Sequence, residues 1–234
     1  MDEPAAWPTL IGLGRLYGLA GDVFRDTFAA HHELGWPAAW REGATLSGRE
    51  ASLARASAGL LRAFEDAQGR RAEAEAERSR LLLLGGCPAY ETTYVDAFAR
   101  PRELADVSGF YKAFGLRTEG ERADHLSVEC EFAALLCVKE AIAVASGDAE
   151  AAKGCRDARA SFLRDHLGTW LALYEEDLGS QARLPFLGAA VAALRAIVAA
   201  EAGEMGVRVV ERTRSQPEPV PGAPSCDPGP ARAA

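Results

Sequence analysis

The stretch from about Arg122 to Ser146 sets the tightest limit on what this chain can become. Leu126, Cys130, Ala133, Cys137 and Ala141 recur at helical spacing along one face, and Val128, Phe132, Leu135 and Ile142 line another. A helix apolar on two faces belongs in the middle of a bundle, with other helices packed around it. The rest of the chain supplies them. Ser47-Gly48-Arg49-Glu50 reads as a capping box opening a helix that carries Leu53, Ala56, Leu60 and Phe64 on one face, up to Gly69. Arg71 to Leu84 reads as another, polar in its first half and ended by Gly85-Gly86-Cys87-Pro88. Pro101 suits the first turn of a helix running to about Phe114, where Gly115 supplies a left-handed stop and Leu116 folds back. Gly147 closes the central helix, Asp148 caps the next, and Ala149–His166, Thr169–Leu178 and Leu184–Ala202 complete the set. Runs of β-branched residues are absent apart from Val207 to Val210. The expected fold is all-α: a single-domain helical bundle over residues 1–211, then a disordered Pro-rich tail, 212–234, with too little apolar surface to fold.

Composition narrows the function. Hydrophobic residues make up 48% of the 234, enough for a sizeable core. With 34 acidic against 26 basic residues the net charge is −8, which argues against a nucleic-acid binder and suits a partner that carries positive charge. Cysteines at 87, 130, 137, 155 and 226 form no CxxC pair, so zinc ribbons, thioredoxin motifs and a disulfide framework are unsupported, and reduced cytoplasmic thiols are expected. The start, Met1-Asp2-Glu3-Pro4, is acidic where an export signal is basic, and Arg70-Arg71 precedes Ala72-Glu73-Ala74-Glu75, not an apolar run. The most apolar stretch, Phe186 to Ala200, contains Arg195 and is too short for a bilayer, so no integral membrane insertion is expected.

No phosphate loop, GxSxG elbow or HExxH motif is present, and a di-iron bundle would need two Glu-x-x-His pairs where Glu121 and His125 are four apart. His31-His32 point about 100° apart on a helix and make a poor metal pair. Two segments stand out. Cys87-Pro88-Ala89-Tyr90-Glu91-Thr92-Thr93-Tyr94 is a Pro-broken loop feeding a helix, with Glu91 in the first turn, where the helix dipole favours a carboxylate. The plainest reading of it is a cap with two packed tyrosines. Gly120 to Phe132 brings Glu121, Arg122, Asp124, His125, Glu129 and Glu131 to the head of the central helix, with Glu129 one turn after His125. Here the plain reading is dipole compensation with a satisfied histidine. A helical metal- or cofactor-binding enzyme using His125 with Glu121 or Glu129 is the sharper alternative, and a permanent structural subunit of a larger complex is a third.

At these residues the sequence resembles the TorD/DmsD/NarJ family of redox-enzyme maturation chaperones. The family's Pro-x-Tyr-Glu-x-x-Tyr loop matches Pro88, Tyr90, Glu91 and Tyr94, and its Leu-Ala-Asp…Gly-Phe-Tyr-x-Ala-Phe-Gly run matches Leu104 to Gly115. Its Glu-Arg-Pro-Asp-His…Glu-Phe signature matches Glu121, Arg122, Asp124, His125, Glu131 and Phe132, with Ala123 in place of Pro and Cys130 in place of the usual Leu. A Phe-Leu-x-x-His-Leu-x-x-Trp run matches Phe162, Leu163, His166, Leu167 and Trp170. The Cys-Pro-x-Tyr-Glu-Thr form is most similar to the assembly chaperones (delta subunits) of type II DMSO reductase family enzymes, which serve selenate, chlorate, dimethylsulfide and ethylbenzene redox enzymes. The resemblance implies a TorD-like cytoplasmic chaperone, not an enzyme, with no cofactor or metal of its own. Its partner would be the molybdopterin-containing catalytic subunit of an oxidoreductase, held by its twin-arginine signal peptide until cofactor insertion is complete; a homodimer is left open. The peptide's apolar run would lie near Tyr90, Tyr94, Phe110, Tyr111 and Phe132, and its arginines would meet Glu91, Asp124, Glu129 and Glu131.

Overall fold

The computed structural model describes residues 7–25 and 35–214. His31-His32, Cys226 and the expected tail from residue 215 onward lie outside the described residues. The helices are α1 (Trp7–Arg25), α2 (Trp36–Leu46), α3 (Glu50–Gly69), α4 (Arg71–Arg78), α5 (Arg100–Ala113), α6 (Leu126–Ser146), α7 (Ala149–Phe162), α8 (Gly168–Gln181) and α9 (Phe186–Glu204). Among the described residues there is no strand, only one isolated antiparallel bridge between Tyr90 and His125. The chain is the expected all-α single domain.

The central helix takes its expected place. In α6, Leu126, Cys130, Ala133 and Cys137 are fully buried, and Phe132 on the second face is buried as well. The second face opens toward its C-terminal end, where Ile142 is 63% exposed. The helix lying along α6 is α1, which apolar spacing alone leaves unassigned. Its glycines explain both facts. A Cβ on Gly21 would stand 2.8 Å from that of Cys130, and one on Gly14 would stand 3.1 Å from the Ala134 carbonyl oxygen. Glycine lowers helix propensity but lets two backbones approach closely.

Several boundaries differ from the expected ones for local reasons. The capping box at Ser47 does not form, because α2 ends there: Ser47 donates its hydroxyl back to Ala44 O at 2.9 Å, and Gly48 turns the chain with φ +67°. Arg49 is the residue before α3, and Glu50 accepts from Thr45 Oγ1 at 2.6 Å. Helix α4 widens into a π-helical turn, Ser79–Leu83, before Gly85 stops it. A second π turn, Leu163–Leu167, welds α7 to α8 and rotates His166 inward to 1% exposure. The expected stops at Gly115 and Gly147 both have φ above +70°, Leu116 N–H folds back to Tyr111 O at 2.9 Å, and Asp148 caps α7 through Ala151 N–H. Helix α9 is long and apolar enough to cross a membrane by length and composition, yet 56% of that window is buried inside the bundle. After α9, residues 207–214 run extended across α8.

Candidate functional site

The two motif loops are locked together through their backbones. Pro88 ends the preceding turn and leaves Tyr90 extended, after which Glu91–Tyr94 form a single 3-10 turn. Gly115 and Gly120, both with positive φ, bring the other loop back toward it. Glu91 N–H donates to Asp124 O and Leu126 N–H donates to Ala89 O, each at 2.9 Å. The fully buried Asp124 carboxylate accepts from Thr92 N–H at 3.2 Å, Thr92 Oγ1 at 2.6 Å and Arg122 Nη2 at 2.9 Å. Outside it, the Arg122 guanidinium lies 4.6 Å over the Tyr90 ring, a cation–π contact, and Tyr90 OH donates to Glu121 at 3.0 Å.

His125 does not pair with Glu129. Its backbone is extended, so it precedes α6 instead of lying on its face, and its Nδ1 accepts from Ser127 N–H and meets Ser127 Oγ at 2.7 Å. Burial lowers its pKa despite the nearby charges of Glu121 and Asp124, which favours the neutral ring. Glu129 is fully buried; one oxygen accepts from Trp170 Nε1 at 3.2 Å and the other has no partner. Burial, then the charge of Glu91, pushes its carboxyl well above the ordinary range, which favours the protonated form.

Behind this junction lies a second cluster. Glu91 is fully buried with its oxygens 3.2 and 3.3 Å from His166 Nδ1. Burial raises its pKa, and the His166 contact only partly offsets that. Arg212 Nη2 donates to Glu91 at 2.6 Å and also to Glu103. His166 Nε2 is 3.4 Å from Asp106 but lacks hydrogen-bond geometry. Tyr94 joins this side: its ring stacks on Trp170 at 5.5 Å and its OH donates to Asp177 at 3.0 Å. Glu91, Glu103 and His166 present ligand atoms within 4.8 Å of one another, close enough for a metal, but the Arg212 guanidinium already donates to both carboxylates there. His125, the expected ligand of the metalloenzyme alternative, belongs to no such group among the described residues.

Of the expected aromatics, Phe110, Tyr111 and Phe132 pack together, while Tyr90 packs on His125 and Tyr94 on Trp170 and Tyr174. Phe110 packs edge-on against His166 at 5.2 Å, and Tyr111 packs on Phe132 at 4.8 Å. Tyr111 OH donates to Ala123 O, tying α5 to the Asp124 loop. Tyr111, Phe132, Leu116, Val128 and Leu135 then line a groove of about 330 Å³ that also includes the exposed Glu119 and Glu131. Glu131 is ion-paired with Arg25. Of the four residues expected to meet a client's arginines, Glu91, Asp124 and Glu129 are therefore enclosed and Glu131 faces outward, as does the neighbouring Glu121. Sequence reasoning missed Glu103, Asp177 and Arg212. His166 and Trp170 were flagged by their shared run, whereas Arg212 fell in the segment read as tail.

The bundle closes on one another the Pro-x-Tyr-Glu and Asp-His loops that carry the resemblance to the NarJ/TorD type of chaperone. The family model described as nitrate reductase delta subunit matches residues 48–174, over half of the chain, and the chain belongs to that family. It is 29% identical over 119 residues to the perchlorate reductase assembly chaperone protein of Dechloromonas aromatica (strain RCB). That match covers 50% of this chain and 52% of the relative, so the chain spans about half the length of the curated relative it matches. No solved structure matches it significantly.

Proposed function

We propose that this protein is a cytoplasmic, non-enzymatic assembly chaperone for the catalytic subunit of a molybdenum oxidoreductase. It binds the apo subunit and its twin-arginine signal peptide, keeps the subunit open for molybdopterin insertion and delays its export. The observation that carries this reading is the locked junction of the Tyr90–Glu91 and Asp124–His125 loops, which leaves Glu121 and Glu131 exposed beside an apolar groove. Such a surface suits a peptide with positive charge next to an apolar run, in the groove-binding mode. The family membership and the assembly role in the relative's name support it.

Within the site, Glu121, Arg122 and Glu131 are exposed and Tyr90 is half-buried beside them. Glu91, Asp124, His125, Glu129 and Phe132 hold the frame, and Tyr94, Phe110 and Tyr111 connect it to the grooves. The test is co-expression with the precursor of a molybdoenzyme catalytic subunit of the DMSO reductase family. The full precursor should co-purify with the chaperone, and replacing its two signal arginines by Gln should weaken capture at least tenfold. Capture of the mature, cofactor-loaded subunit in preference to the precursor overturns the proposal.

A further inference from the structure

Residues 207–214 leave α9 and cross the outside of α8 as an extended strap. Its basic end is anchored in acid. Arg212 donates to both Glu91 and Glu103, and Arg214 pairs with Asp177 and, at 3.6 Å, with Glu176. Its apolar start, with Val207 and Val209 half-buried, runs over a floor of Leu171, Val198, Ala199 and Ala202, and at the channel's edge Glu211 of the strap accepts from Arg195 of α9 at 2.7 Å. We infer that the path of the strap is the seat for a client peptide carrying paired arginines beside an apolar run: residues 207–211 cover its apolar channel, Arg212 and Arg214 occupy the acidic end beyond it, and such a peptide displaces the strap from both. The inference rests on the peptide-binding reading above and says where the arginines go.

Three observations favour an exchangeable occupant over a permanent one. The strap sits loosely: about 620 Å³ of open channel is lined jointly by it and by α8 and α9, and Val210 is 66% exposed. Among the described residues its backbone hydrogen bonds to the body are few: Val207 N–H to Ala202 O and Arg212 N–H to Thr169 O. The seat is also imperfectly satisfied. His166, 1% exposed and directly against Glu91, has its Nε2 without a hydrogen bond, and Arg212 Nη1 is buried without a partner. Buried polar groups left without a partner are uncommon in folded proteins. Removing the strap would leave the buried Glu91 and the largely buried Glu103 and Asp177 without these guanidinium partners, so the acidic end of its path calls for replacement cations. The strap reads apolar then basic from N to C. A twin-arginine peptide reads basic then apolar, so one lying antiparallel to the strap presents the same order of side chains along its path.

The probe is a fluorescent synthetic peptide with two arginines followed by an apolar run, titrated into the full chain, wild type and Arg212→Ala/Arg214→Ala. A strap that occupies the seat lowers apparent affinity by the fraction of molecules left open. The double variant should bind at least tenfold more tightly, and a probe with both arginines replaced by Gln should show no such gain. In the wild type, amide exchange over residues 207–214 should rise when the probe binds, a readout that stands even if the variant folds poorly. Equal affinities with unchanged exchange overturn the strap while leaving the function above intact. Binding that is indifferent to unlatching but lost in Leu135→Glu puts the peptide in the α5–α6 groove and also overturns it. No binding to either protein overturns the signal-peptide reading as well.

Discussion

Asp124 shows how a signature residue can matter without meeting the client. Its Oδ2 takes three hydrogen bonds, two from Thr92 and one from Arg122, and those bonds hold the two motif loops together. Asp124→Asn keeps the shape and removes the charge, so unfolding stability should fall by about 1.5–3 kcal/mol, the scale of hydrogen bonds to a charged group. A denaturant titration checks this; a loss under about 0.5 kcal/mol would mean the loops are held without it. His166 sets a pH dependence. Burial disfavours its imidazolium, but the Glu91 hydrogen bond and the charges of Glu91, Glu103 and Asp106 outweigh that and raise its pKa above 6.5. A group that holds its proton more tightly when folded contributes stability that is complete below 6.5 and lost as pH rises through the raised value. Glu91, raised by burial, acts with the same sign in a more acidic window starting from 4.5. Melting temperature should therefore fall from about pH 6.5 upward, and the fall should flatten in His166→Gln. Parallel curves would remove His166 from the account. The Asp-His and Pro-x-Tyr-Glu runs were legible in the sequence; their partners were not, because Thr92 meets Asp124 across 32 residues and Arg212 meets Glu91 across 121, separations that no local period encodes.

At the scale of the helix, α1 carries the clearest test of why the bundle closes as it does. Its four glycines do different jobs. A Cβ on Gly12 would lie 2.4 Å from Ser47 N, where α2 ends, whereas one on Gly18 would meet nothing within 4 Å. Gly18→Ala should stabilise the protein by up to about 1 kcal/mol through helix propensity alone. Gly12→Ala gains the same propensity but forces α1 off α2, and should cost about 1–3 kcal/mol, the usual range for overpacking. Opposite signs for one substitution type on one helix, read as melting temperatures, would identify close backbone approach as the reason these glycines are there. Equal signs would reject it. The same glycines explain the uneven legibility of the elements. Helix α6 announces itself by apolar spacing, while α1 spends small residues where the pattern looks for large ones. The capping box at Ser47 misled because the motif describes four residues, and α2 had a prior use for the first of them.

Over the whole molecule, one buried ion cluster joins helices that are far apart in sequence. Arg159 of α7 lies between Glu140 of α6 and Glu201 of α9, and Glu201 also accepts from Tyr17 OH of α1 at 2.5 Å. The three charged side chains are all under 5% exposed. One guanidinium faces two carboxylates, so the cluster depends on Arg159 more than on either acid. Burial raises the Glu140 pKa even with Arg159 beside it, and burial together with the Glu201 charge keeps the Tyr17 phenol firmly protonated. None of this was visible along the chain: Glu140 reads as a polar break in an apolar helix, and Arg159 as one of several surface arginines. Arg159→Leu would strand two buried carboxylates and should cost about 3–5 kcal/mol at neutral pH. The cost should shrink near pH 5, because a stranded carboxyl can take up a proton and lose its charge. Replacing Arg159, Glu140 and Glu201 together by Leu, Leu and Met removes every uncompensated charge and should restore most of the lost stability. Chemical denaturation of the two variants at pH 5 and pH 7 measures both effects. A single variant whose cost is the same at both pH values would mean the carboxylates find another cation or water. A triple variant no better than the single would mean that the cluster's hydrogen bonds, and not its charge balance, hold α1, α6, α7 and α9 in register.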